Sequence, residues 1–134
     1  MKAKQVAILG STGSIGRQTL DVIASQEDLR ACGLAAGSDW ELLAEQAETF
    51  GPEAVALAAE PEGERLRQRL GEQTEVLTGP SSMSDLIRRL RPDMVVNGIV
   101  GAAGLEPTMA AIECGAALAI ANKETLVMAG AIVM

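Results

Sequence analysis

Short apolar runs alternate with amphipathic stretches along the whole chain. Residues 5–9 read as a strand, and residues 14–25 as a helix in which Ile15, Thr19, Val22 and Ile23 recur at i, i+4, i+7 and i+8. Residues 30–36 predict a second strand. Residues 38–50 predict a helix that Ser38 opens, with Glu41 three positions on as the partner of a capping box. Its residues Trp40, Leu43, Ala44 and Ala47 share one face. The pattern continues with a strand at 54–58, a charged and exposed helix at 62–70, a short strand at 75–77 and a helix at 82–90. A strongly apolar strand at 93–97 ends on Asn97, and glycine-rich residues 98–104 follow it. A helix covers 105–114 with Pro107 in its first turn, where a missing N–H costs little. A last strand at 117–121 leads to Asn122-Lys123-Glu124 and an apolar tail, expected to be a buried final helix that packs against whatever follows it.

Repeated strand–helix units predict an α/β fold of Rossmann type: a doubly wound, mostly parallel sheet with helices on both faces, in three layers. Right-handed crossovers bring all strand C-termini to one edge, where ligands bind near the switch in strand order. The loops on that edge follow Leu9, Ala36, Asn97 and Ala121. The chain's 134 residues suit one domain, and residues 1–134 are read as a single dinucleotide-binding unit.

Composition narrows the function. One Phe, one Trp and no Tyr leave packing to aliphatic and small side chains, which lets helices lie close on a sheet. The net charge of −7 disfavours nucleic acid and anionic membranes as partners. It leaves room for a phosphate-bearing ligand held locally by a helix N-terminus. No apolar run is long enough to span a membrane and no signal peptide is recognised, so a cytoplasmic protein is expected. Cys32 and Cys114 are expected as buried free thiols. The absence of histidine excludes His-based nucleophile pairs and His metal sites in this chain, and no metal-ligand spacing is visible.

The chemistry concentrates in two segments. Gly10, Gly13 and Gly16 form G-x-x-G-x-x-G between a strand and a helix. Gly10 permits the turn, Gly13 lets backbone approach a pyrophosphate, and Gly16 lets the helix pack on the strand. The N–H groups of Ser14 and Ile15 then face the anion, with hydroxyls of Ser11, Thr12 and Ser14 as further donors. At the end of the second strand, Ala35-Ala36-Gly37 offers no acid for a ribose 2′-hydroxyl, which favours NADP. Asp39 pulls the other way as a carboxylate that repels a 2′-phosphate, unless it serves its own helix. No Arg or Lys stands in this loop. On the same edge, Lys123 is a donor for substrate oxygens or a solvated partner of Glu124.

Three strings carry a family likeness: residues 8–16 with Thr19-Leu20-Asp21-Val22, residues 99–105 with Pro107-Thr108, and residues 121–127 with Ala129-Gly130. Together they resemble the 1-deoxy-D-xylulose 5-phosphate reductoisomerases. The resemblance implies an NADP-dependent enzyme that rearranges and reduces 1-deoxy-D-xylulose 5-phosphate to 2-C-methyl-D-erythritol 4-phosphate. That is a step of non-mevalonate isoprenoid biosynthesis inhibited by fosmidomycin. It implies that Gly10, Thr12, Gly13, Ser14 and Ile15 serve the NADPH pyrophosphate. Gly37 and Ser38 lie near the adenosine ribose, Asn122 and Glu124 touch the cofactor, and Lys123 touches the substrate. Ser38-Asp39 departs from the Asn common in the family. The family's divalent metal (Mg²⁺, Mn²⁺ or Co²⁺) and its carboxylate ligands, the phosphorylated-sugar site and the homodimer belong to the longer parent. The expectation is therefore an N-terminal cofactor domain with no complete catalytic or metal site, inactive alone. The alternatives are a non-catalytic NAD(P) sensor and an oxidoreductase like aspartate-semialdehyde dehydrogenase or dihydrodipicolinate reductase.

Overall fold

The computed structural model describes residues 2–99 and 102–120. The segment 121–134, which holds Asn122, Lys123, Glu124 and the apolar tail, lies outside the described residues, as do Val100 and Gly101.

Among the described residues, six strands form one sheet: β1 (Lys4–Leu9), β2 (Leu29–Ala36), β3 (Ala54–Leu57), β4 (Glu75–Thr78), β5 (Met94–Asn97) and β6 (Ala117–Ile120). Their order is β4-β3-β2-β1-β5-β6, and every pairing is parallel. The expected doubly wound sheet is thus present, with strand order reversing between β1 and β5. One register slip occurs, where Cys32 of β2 is skipped between the pairs Val6–Ala31 and Ala7–Gly33.

Among the described residues, five α-helices connect the strands: α1 (Ser14–Ala24), α2 (Trp40–Phe50), α3 (Gly63–Leu70), α4 (Ser82–Leu90) and α5 (Leu105–Glu113). Alternate residues of the strands feed two cores, as a pleated sheet buried on both faces requires. One core joins Val6, Ile8, Leu34, Val55 and Val96 to Ile23 of α1, Leu43 of α2 and Leu66 of α3. The other joins Ala7, Leu9, Ala56 and Val95 to Leu86 and Ile87 of α4 and Ala110 of α5. Small residues set the spacing. A Cβ at Gly33 would stand 2.5 Å from Leu90 Cδ1, so the Leu90 side chain of α4 packs directly onto β2 at this glycine. α3 is not merely a charged surface helix, because its Leu66 is fully buried.

Two expectations change. The N-cap of α2 is Asp39, not Ser38: its Oδ1 accepts a hydrogen bond from the Leu42 N–H at 3.2 Å, and the helix begins at Trp40. Ser38 instead turns the chain, its carbonyl accepting from the Trp40 N–H at 2.8 Å. Cys114 is only half-buried at the end of α5, whereas Cys32 is buried as expected; both are free.

Candidate functional site

The loop after β1 is built by backbone before any side chain enters. Gly10 takes φ +77°, a left-handed conformation that glycine adopts without penalty. This turn lets both the Gly10 and Ser11 N–H groups donate to the Ala35 carbonyl of β2, at 2.8 and 2.9 Å. The Gly13 N–H then donates back to the Gly10 carbonyl at 3.1 Å, and α1 starts at Ser14. Gly16 is a packing requirement, since a Cβ there would stand 2.2 Å from the Gly10 oxygen and 2.5 Å from Ser11 Cα. Both obstacles are backbone and cannot swing away.

The resulting helix N-terminus is unusually open. Its N-cap, Gly13, has no side chain to cap with, and no acidic residue stands in the first turn. The first N–H groups of a helix lack partners within it and carry the positive end of the helix dipole. Among the described residues, a Cβ at Gly13 would meet only the Gly10 oxygen, at an ordinary 3.5 Å. Gly13 and Ser14 are exposed, and Thr12 and Ile15 are half-buried. These residues fit a phosphate or pyrophosphate. Ser11 does not join them: it is fully buried, so its hydroxyl faces the interior rather than a ligand, contrary to expectation.

A second loop presses against the first across the switch point. The Gly98 N–H donates to the Leu9 carbonyl at 2.9 Å, and a Cβ at Gly10 would come within 3.3 Å of Gly98. Asn97 organises this loop. Its Oδ1 accepts from the Ile99 N–H at 2.9 Å, and its Nδ2 donates to the Gly104 carbonyl at 3.0 Å and to Thr108 Oγ1 at 2.7 Å. Sequence reasoning noted a polar end to this strand but assigned it no role. A lone Asn beside glycine, closing an otherwise apolar strand, was the available signal.

Two depressions flank the loops. An open cleft of about 360 Å³ passes Gly10, Gly37, Met83, Ile99, Glu106 and Pro107, running along the strand ends on the α4–α5 face. A shallower one of about 430 Å³ lies beside the end of β2 and is lined by Ser38, Asp39, Trp40, Glu41, Glu62 and Arg65 among others. Here the structure supplies what the loop sequence lacks: Arg65 of α3 shares this depression with Ser38. Among the described residues its guanidinium pairs only with Glu62, at 3.9 Å, and the side chain is 70% exposed. Among the described residues, nothing lies within 4 Å of a Cβ built on Gly37. Thr12, Gly13, Ser14, Ile15, Gly37 and Ser38 therefore lie on one edge of the sheet.

Comparison with known proteins decides the family. The sequence profile of 1-deoxy-D-xylulose 5-phosphate reductoisomerase matches residues 6–130. The chain belongs to the 1-deoxy-D-xylulose 5-phosphate reductoisomerase family. The reductoisomerase of Beutenbergia cavernae is 50% identical over 99% of this chain, which spans 35% of that protein. The reductoisomerase of Zymomonas mobilis in complex with NADPH superposes with a TM-score of 0.84 at 32% identity, over 98% of this chain and 35% of that one. A reductoisomerase structure with NADPH, fosmidomycin and magnesium gives a TM-score of 0.81 at 36% identity, over 97% of this chain and 33% of that one. The chain thus spans about a third of the length of the reductoisomerases it matches. Family membership displaces the aspartate-semialdehyde dehydrogenase-like and dihydrodipicolinate reductase-like readings.

Proposed function

We propose that this chain is the NADPH-binding part of an enzyme that rearranges and reduces 1-deoxy-D-xylulose 5-phosphate to 2-C-methyl-D-erythritol 4-phosphate. The observation that carries the reading is the N-terminus of α1. It is uncapped by any side chain, free of acids, and seated at the switch point of a parallel sheet. The pyrophosphate lies against Thr12, Gly13, Ser14 and Ile15, with Gly10 making the turn that presents them. The adenosine ribose lies by Gly37 and Ser38. Asp39 is less of an objection to a 2′-phosphate than its charge suggests, because its carboxylate is engaged by the Leu42 N–H. By family likeness, Asn122 and Glu124 complete the cofactor contacts and Lys123 reaches the substrate. When bound, NADPH supplies the hydride for the reductive half of the reaction.

The residues of this chain hold and orient that donor. Among the described residues, no group of three His, Cys, Asp or Glu side chains is placed to hold the divalent metal of the family. Several carboxylates serve elsewhere: Asp39 caps α2, and Glu48 and Glu75 pair with Arg69 and Arg89 on the surface.

Calorimetric titration of the purified chain with NADPH and NADH tests the proposal. Saturable NADPH binding, tighter than NADH, is expected. Binding of NADH at least as tight as NADPH would point to a dinucleotide sensor instead, and no binding of either would remove the site.

A further inference from the structure

We infer that Gln46, buried on α2, is a positioning residue for the nucleotide loop; the inference rests on the reading of that loop as the pyrophosphate site. Gln46 is only 7% exposed, and its Nε2 donates to the Ser11 carbonyl at 2.8 Å across 35 residues of sequence. Ser11 is thereby held from both sides, its N–H by the Ala35 carbonyl of β2 and its C=O by α2.

The consequence follows from peptide geometry. In a planar trans peptide the C=O and the next N–H point in opposite directions. With the Ser11 carbonyl drawn inward to Gln46, the Thr12 N–H is directed outward, to the side on which Gly13 and Ser14 are exposed. Gln46 thus turns one more donor toward the anion, ahead of those at the start of α1. A reversed peptide would present a carbonyl oxygen to a phosphate, which repels it.

Only half of the glutamine's amide is used, its donor on the Ser11 carbonyl. Among the described residues its Oε1 is buried without a partner, an unfavourable arrangement that an apolar side chain of similar size avoids. The neighbouring α2 residues Leu43, Ala44 and Ala47 are apolar core. A polar residue that breaks such a face at a cost to packing marks a functional constraint.

The test separates pyrophosphate binding from general integrity. Gln46→Met keeps the volume and removes the donor. The variant is expected to bind NADP⁺ about tenfold more weakly than the unmodified chain, the worth of one charge-directed hydrogen bond. Adenosine 2′-monophosphate, which has the adenosine end and no pyrophosphate, should bind both proteins equally. Equal losses for both ligands, or no loss for either, would overturn the inference. Amide exchange on the unmodified chain gives an independent reading should the variant fold poorly. Bound NADP⁺ should slow exchange of the Thr12 N–H, and adenosine 2′-monophosphate should not. A Thr12 N–H indifferent to NADP⁺ while Ser14 and Ile15 respond would also overturn it. Failure of the unmodified chain to bind NADP⁺ would instead remove the nucleotide-site reading, and this inference with it.

Discussion

Arg91 closes α4 with φ 47° and ψ 60°, and it is the only non-glycine residue with positive φ among the described residues. Its N–H caps the Ile87 carbonyl at 2.8 Å, so the conformation is needed even though a Cβ makes it costly. Arg91→Gly relieves the strain and gives back part of the gain as extra freedom of the unfolded chain. A net stabilisation of about 0.5–1 kcal/mol is expected, read as a higher urea midpoint at unchanged slope. A lower midpoint would mean that the arginine side chain outweighs the strain. The cysteines differ as sharply. Burial, and secondarily the negative Glu53, push the Cys32 thiol up from 9.0 to about 12. Thiolate is the reactive form, so iodoacetamide at pH 8 should label half-buried Cys114 and spare Cys32 until urea unfolds the chain. Because the folded state holds the Cys32 proton more tightly, this thiol's contribution to stability is complete below pH 9. It declines as pH rises toward 12, by about 1.4 kcal/mol per unit.

Among the elements, α2 shows what a local pattern can and cannot reveal. Its buried face was legible from the spacing of Leu43, Ala44 and Ala47, because a helix exposes each side at a fixed period. Its start was not. Ser38 and Asp39 are adjacent, both are cap-forming types, and the choice between them depends on how β2 delivers the chain to the helix. Gln46 was invisible for a related reason: its partner lies 35 residues away, and only the packing of α2 beside the β1 loop brings them together. The same holds for Arg65, which reaches the Ser38 depression only because α3 follows α2 on the same face. Arg65→Gln is expected to weaken NADPH binding about threefold while leaving NADH unchanged. The effect is small because the guanidinium is exposed and shares its site with Asp39, Glu41 and Glu62. Equal changes for the two cofactors would remove Arg65 from 2′-phosphate recognition.

For the whole molecule, alternation of apolar strands with amphipathic helices was enough to anticipate a parallel sheet covered on both faces, since no other layering buries so many short apolar runs. The glycine loop was equally legible, because Gly10 and Gly16 are demanded by backbone geometry rather than by distant partners. NADP was anticipated from the missing acid after β2, but the place of Arg65 beside Ser38 was not, since a separate helix brings it there. The expected Asn122-Lys123-Glu124 contacts fall outside the described residues. The 134-residue chain, about a third of the length of the reductoisomerases it matches, is expected to bind NADPH without turning over. Absorbance at 340 nm should stay flat with 1-deoxy-D-xylulose 5-phosphate and Mg²⁺. Metal-dependent NADPH oxidation under those conditions would refute this.

The central place of β1 also governs when the domain can form. Its pairing with β2 is nearly local, but its pairing with β5 waits for residues 88 positions further on, where the Asp93 carboxylate takes the Gln5 N–H at 2.8 Å. Until the ribosome has delivered those residues, Val6, Ala7, Ile8 and Leu9 stand at an open edge, ready to pair with another chain. A nascent chain stopped short of Asp93 should therefore be captured by chaperones or aggregate, and one extended past β5 should escape both.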